Sequence, residues 1–296
     1  MQAPARSRYL HFFTAYGGGV ALQLRRDNDA NLAGQPGSSL PSQATAVLAS
    51  IGGVSRGEAS QIQFRDLLSV ARAVTEARGD FQPARSATRF SHGNWSENQL
   101  PAVTTLASTV EGVTITNGGR KVEFASLSFT LSGASRVDAS DRPAITLQAA
   151  IDGFAIDGHP LRVRLASRDF LATPNLDALR ARLADPKFAR FATQLIAPDS
   201  LRTYPEPPRR LPRSDYFYAT VVDSIKWVNP NQAPSDITFP DRHRIRIPGF
   251  GTIILGELRI GSAEKKISLV RLELGSPYGG EIELGFGGEN GSGWPP

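Results

Sequence analysis

Polar and apolar residues alternate with a period of two along much of the chain, most clearly near its C-terminal end. Between Ile267 and Leu274, Val270, Leu272 and Leu274 fall on one side and Arg271 and Glu273 on the other. After Ser276, Pro277, Tyr278, Gly279 and Gly280, the residues Ile282, Leu284 and Phe286 alternate with Glu281 and Glu283. Such a pattern belongs to strands with one face on a core. Thr252 to Ile260 is apolar on both faces, and the charged stretch Gly261 to Lys266 joins it to the next run, so these segments predict a three-stranded antiparallel meander. The same alternation marks Val20, Leu22 and Leu24. A hairpin is predicted where Ala144 to Ile151 and Phe154 to Ile156 lead through Asp157 and Gly158 into Leu161 to Leu165, because Asp followed by Gly suits the two positive-φ positions of a type I′ turn. Tyr216 to Val228 reads as a further strand.

Helical spacing is rarer. Leu176, Leu179 and Leu183 form one stripe; Asp185 as cap and Pro186 at the first helical position then open a second helix carrying Phe188, Phe191, Leu195 and Ile196. This pair is expected to cover an open face or edge of a sheet. Leu67, Leu68, Ala71 and Val74 also recur at helical intervals, which favours a helix over residues 65–78. The expected fold class is therefore mainly β, an antiparallel β-sandwich-like fold with a small helical pair.

Prolines at 198, 205, 207, 208 and 212 exclude regular structure between the helices and the C-terminal strands. They divide the chain into a β-rich domain at 9–196, a Pro-rich linker at 197–214, and a meander at 215–288 that completes the sheet or forms a small second domain, followed by a tail at 289–296. A faint internal repeat matches Leu48, Ala49 and Ser50 with Leu106, Ala107 and Ser108. It continues from Gly53 and Val54 to Gly112 and Val113, and from Ile62, Gln63 and Phe64 to Val122, Glu123 and Phe124, which predicts two equivalent supersecondary units.

Composition narrows the function classes. The 296 residues can bury a full core, and the absence of cysteine excludes disulfides, thiolate metal sites and a cysteine nucleophile. Only Met1 carries sulfur, which suits an extracellular or cell-envelope address. A mean hydropathy of -0.22 and the lack of any window near the roughly 18 apolar residues of a spanning helix predict no transmembrane segment. Residues 1–8 lack the apolar stretch of a secretory signal, so the expectation is either a cytoplasmic protein or an exported chain whose signal has been removed.

Net charge is +5, carried almost wholly by arginine, since Lys121, Lys187, Lys226, Lys265 and Lys266 are the only lysines. The positive residues are interleaved with acids, which disfavours nucleic acid as a partner. The best local excesses are Arg209, Arg210 and Arg213, and then Arg242, Arg244 and Arg246 around His243; these are the candidate contacts for an acidic partner surface.

Catalytic signatures fail one by one. His11, His92, His159 and His243 are scattered, without a paired metal-ligand spacing. Asp27, Asp29 and Asn31 begin like a calcium loop, but Leu32 and Ser38 stand where Gly and Glu belong. Ser262 and Lys265 have the spacing of an acyl-transfer pair, yet both fall in a predicted exposed turn. Gly17 to Gly19, Gly118 with Gly119, and Gly279 with Gly280 lie between predicted strands with no helix following, so they read as turns and bulges and not as phosphate cradles. Glu281 and Glu283 are expected to balance Arg271 across the sheet.

Trp95, beside His92 and Asn94, could stack on a ring, and Trp294 in the tail needs a surface to bury against, its own domain or a neighbouring subunit. No catalytic residue, metal or cofactor is expected. The leading expectation is a non-catalytic structural or adhesive module of a bacterial cell surface or extracellular assembly, contacting other protein subunits through tails and sheet edges. The alternatives are a lyase or hydrolase on an acidic polysaccharide, with His92 or Tyr278 as base, and a soluble subunit docking on a larger complex through an Arg-rich face.

Overall fold

A computed structural model describes residues 10–24, 39–81, 101–136, 144–196, 216–290 and 292–294. The chain is mostly β, with two antiparallel sheets and, among the described residues, three short helices, so the expected fold class is what is observed. In chain order the strands are β1 Leu10–Phe12, β2 Ala15–Leu24, β3 Ser39–Gln43, β4 Ala46–Val47, β5 Gly53–Phe64 and β6 Leu68–Phe81. Then come β7 Pro101–Asn117, β8 Arg120–Arg136, β9 Ala144–Asp152, β10 Ala155–Ile156 and β11 His159–Leu165. After the helices follow β12 Tyr216–Thr220, β13 Val222–Trp227, β14 Arg244–Ile247, β15 Gly251–Gly261, β16 Glu264–Leu274, β17 Gly280–Asn290 and β18 Ser292–Trp294.

The first sheet runs β13-β11-β10-β8-β7-β6-β5, with β9 also on β8; the second runs β12-β15-β16-β17-β2-β3, with β14 on β15 and β4 on β2. The predicted meander is β15, β16 and β17, and the Asp157–Gly158 turn joins β10 to β11 with both residues at positive φ. The segment read as one strand from Tyr216 breaks at Val221: β12 pairs with β15 in the second sheet, and β13 with β11 in the first. Together with the β2–β17 pairing, this makes the C-terminal strands part of sheets that the N-terminal part begins. Ser292–Trp294 pairs with Leu10–Phe12 of the same chain, and residues 197–215 lie outside the described residues.

The two sheets are in contact where side chains vanish. Gly17 and Gly287 are cross-strand partners in the second sheet, and Leu106 of β7 sits over both. Beside it Thr75 and Ser108, both fully buried, share a 3.0 Å hydroxyl contact, which satisfies two buried polar groups. Gly17, Gly18 and Gly19 therefore lie inside β2 and not between strands, a correction to the turn reading.

Both sheets carry a transverse crease. In the first, one residue per strand is left out of the pairing along the line Gln61, Ala71, Gly112 and Ala125, with Gly153 packed against Ala125. In the second the line is Gly256, Leu269, Gly285 and Gly19, reaching Ala44. Every second residue of each line has positive φ: Gln61, Gly112 and Gly153 in one sheet, Gly256, Gly285 and Ala44 in the other. A residue inserted on both members of a pair bends both strands together, so the sheet folds along the line.

The crease explains the largest misreading of the sequence. Residues 65–78 are a turn and the start of β6, not a helix. Leu68 and Val70 are buried before the crease and Ala73, Thr75 and Ala77 after it, and this switch of phase at Ala71 mimics helical spacing. The repeat also parts company in space. Leu106 to Val113 lie within a single strand, whereas Leu48 to Val54 span the turn between β4 and β5; Val122 to Phe124 open β8, whereas Ile62 to Phe64 close β5.

The helices are Arg168–Leu171, Leu176–Arg182 and Pro186–Ala192, with Asn175 and Asp185 capping the last two as their side chains accept from Ala178 N and Lys187 N. Phe170 packs on Phe188 and Phe191, and Ile196 bridges to Ala219. The pair thus covers the sandwich near the end where β12 begins.

Candidate functional site

Register places a band of aromatic and charged residues on the outer face of the second sheet. One cross-strand row reads Tyr218, Arg259, Lys266, Gly288, Tyr16 and Val47, with Tyr216 beside Tyr218. Six strands contribute, so the row spans about 24 Å at a strand spacing of about 4.8 Å. Tyr16, Val47, Tyr216 and Tyr218 are the exposed large side chains of this face.

Contacts tie the band together. The Tyr216 and Tyr218 rings meet edge-on at 5.3 Å, the Arg259 guanidinium lies 4.0 Å from the Tyr216 ring centre, and the Lys266 ammonium lies 5.7 Å from that of Tyr16. Glu264 joins the two cations, at 2.6 Å from Arg259 and 3.6 Å from Lys266. The Lys266 proton is held more firmly than usual, first through its hydrogen bond with Tyr16. Its stem and the Tyr16 ring fold over Gly288, where an added Cβ would stand 2.8 Å from Lys266 Cγ. These contacts hold flat rings and fixed cations on rigid strands, an arrangement suited to stacking on planar groups and pairing with acids.

Across the crease the same face turns acidic. Arg271 makes a two-pronged contact with Glu257, at 2.6 and 2.9 Å, and reaches Glu273 at 3.0 Å and Glu281 at 3.6 Å. Glu283 is its cross-strand partner, so four carboxylates surround one guanidinium. The expected balance of Glu281 and Glu283 against Arg271 is present, with Glu257 and Glu273 added. Burial holds the Glu283 proton above the ordinary carboxylate range.

Among the described residues, the arginines singled out from sequence are Arg242, Arg244 and Arg246. Arg242 is tied to Asp223 and to Gln194, and Arg244 stands 3.7 Å from Asp241. Arg246 is exposed on the same side of β14 as Arg244. Arg209, Arg210, Arg213, His92 and Trp95, with the Asp27 to Asn31 segment, lie outside the described residues. Trp294 falls in β18, opposite Leu10. Tyr278 donates to Asp66 at 2.5 Å, which raises the phenol and lowers the acid. A phenol so engaged is a poor base. Among the described residues no group of three His, Asp or Glu side chains is placed to hold a metal, and no helix is long and apolar enough to cross a membrane.

His243 is mostly enclosed, its Nδ1 2.9 Å from Asp241 Oδ1. Burial lowers its proton affinity, with Asp241 opposing. The folded value thus lies below 6.5, the unfolded chain takes up the proton first, and stability falls as the pH drops through 6.5. Urea midpoints between pH 5 and 7 should therefore show a loss, under about 1 kcal/mol, that is flattened in His243→Gln. An unchanged slope in that variant would remove His243 as the cause.

Lys265 departs furthest from its expected place. It is not in an exposed turn but at the start of β16, 1% exposed and facing the first sheet. Its ammonium donates to Ile145 O and Thr173 O at 2.6 Å each and to Leu171 O at 3.5 Å. Ser262 stays in the turn, so the two do not form an acyl-transfer pair. Two consecutive lysines on a strand must point to opposite faces, and that was the available signal for an inward lysine.

What fold and surface together define is a two-sheet β protein with an aromatic and charged outer face. A family model described as Domain of unknown function (DUF8256) matches residues 30–261, and the chain belongs to that family. No curated protein and no solved structure matches it.

Proposed function

We propose that the chain is a non-catalytic structural or adhesive module of a bacterial cell surface or extracellular assembly, and that it joins other copies of itself through the outer face of the second sheet. The observation that carries this reading is the connected band Tyr218, Tyr216, Arg259, Glu264, Lys266 and Tyr16. Tyr and Arg are the residue types that contribute most at protein interfaces, and here they are fixed in place before any partner arrives. The acidic group around Arg271 lies on the same face. A two-fold axis lying in the interface, across the strands and between band and acidic group, brings the basic band of one copy over the acidic group of the other, which is the self-complementarity that a symmetric pair requires.

Light scattering over a concentration series should show wild type associating and the variant Tyr16→Ala/Tyr218→Ala/Arg259→Glu staying monomeric. Wild type that remains monomeric throughout would sink the proposal. The cations stacked on Tyr16 and Tyr216 also favour a second reading, contact with an acidic polysaccharide, in which rings stack on tyrosine and uronates meet Arg259 and Lys266. Salt-sensitive retention on a polyuronate matrix, lost in the same variant, is the result expected for it.

A further inference from the structure

Lys265 and Glu289 are cross-strand neighbours on β16 and β17, and both point into the sandwich, 1% and 2% exposed. Glu289 rests on Gly133 of the first sheet, where an added Cβ would lie 1.8 Å from its Oε1. Gly133 is in turn the cross-strand partner of Ile145, whose carbonyl holds the Lys265 nitrogen. The two side-chain ends thus lie over adjacent strands of the first sheet. Glu289 Oε2 is buried with no hydrogen-bond partner. A buried acid and a buried amine that stand side by side without forming an ion pair are costly in the folded state. Burial is also the main cause that drives each toward its neutral form, the lysine down to about 7 and the glutamate well above its usual range.

We propose that Lys265 and Glu289 are joined after folding by an amide bond. The amine lone pair attacks Cδ of the protonated carboxyl group, the Nζ–Cδ bond forms and the Cδ–OH bond breaks. The hydroxyl leaves with one amine proton as water, so nothing is oxidised and no co-reactant is used. The carbonyls of Ile145 and Thr173, each 2.6 Å from the nitrogen, receive the two hydrogens of the neutral amine and hold the nitrogen in place. Enclosure between the sheets keeps bulk water from the product. The bond removes both ionisable groups from the interior and ties β17 to β16 covalently near the C-terminal end of the chain. The inference is independent of the outer-face reading.

Peptide mapping by mass spectrometry of the full-length protein, denatured and cut with trypsin, tests it. The linked state blocks cleavage at Lys265 and yields residues 260–266 joined to residues 272–296, lighter by one water than the two peptides summed, and the intact protein is lighter by the same amount. In Glu289→Ala the joined peptide disappears. Recovery from wild type of the unlinked peptide 272–296, with cleavage at Lys265, overturns the proposal, as does a joined peptide that persists in Glu289→Ala. The wild-type map decides the question even if the variant does not fold.

Discussion

Replacing Gly118 by alanine should lower stability by roughly 3 kcal/mol or more, far beyond the usual effect of one added methyl at a turn. Gly118 and Gly119 form the turn between β7 and β8, at φ of 55° and 76°. A Cβ on Gly118 would stand 1.9 Å from Gly249 O, a backbone atom in the turn between β14 and β15 that cannot swing aside. The same corner is held by Asn117, whose Nδ2 donates to Phe250 O at 2.9 Å and Gly275 O at 3.1 Å. Backbone from three turns therefore meets here, and pushing one away breaks hydrogen bonds of the others. Gly119 is the internal control: it has positive φ but nothing within 4 Å of an added Cβ, so Gly119→Ala should cost only about 1 kcal/mol. Thermal unfolding distinguishes the two, with a fall of about 8 °C expected for Gly118→Ala against about 3 °C for Gly119→Ala. Equal shifts would mean that the corner gives way more easily than its contacts imply.

Leu106→Ala is expected to be at least as damaging, at about 4 kcal/mol. Leu106 is fully buried, and its two methyl groups occupy the space above Gly17 and Gly287, within 3.2 and 2.6 Å of where their Cβ atoms would be. The cost of a truncated core leucine depends on how far its surroundings can close over the gap. Beneath Leu106 lie Gly17 and Gly287, a cross-strand pair with no side chains to lean in. The void therefore persists, and the loss falls toward the upper end of the range for such substitutions. Urea unfolding followed by tryptophan fluorescence measures it; a change below about 2 kcal/mol would show that the sheets settle onto each other.

Legibility of the fold in the sequence followed the regularity of the strands. The meander β15–β17 and the hairpin through Asp157 and Gly158 were readable because alternation and turn chemistry agreed. Residues 65–78 were not, because the crease at Ala71 reverses which residues face inward halfway along the strand. The same reversal at Gly256 explains why Thr252 to Ile260 is apolar on both sides: Ile253 and Leu255 are buried before it, Leu258 and Ile260 after it. Tyr16, Tyr216, Arg259 and Lys266 were invisible as a group for another reason. They come from three parts of the sequence, around residue 16, around residue 216 and at 259–266, and only register brings them into one row. Lys265 was misplaced because a charged pair beside a glycine looks like a turn.

The creases have a mechanical meaning for the whole molecule. Gly19, on the fold line of one layer, nearly touches Ala73, two positions from the fold line of the other, its missing Cβ lying 2.6 Å from the Ala73 methyl. Two leaves bent at the same level nest like a pair of corrugated plates, and neither can slide lengthwise over the other without riding up a slope. Shear along the strands should thus be resisted by shape as well as by side-chain adhesion.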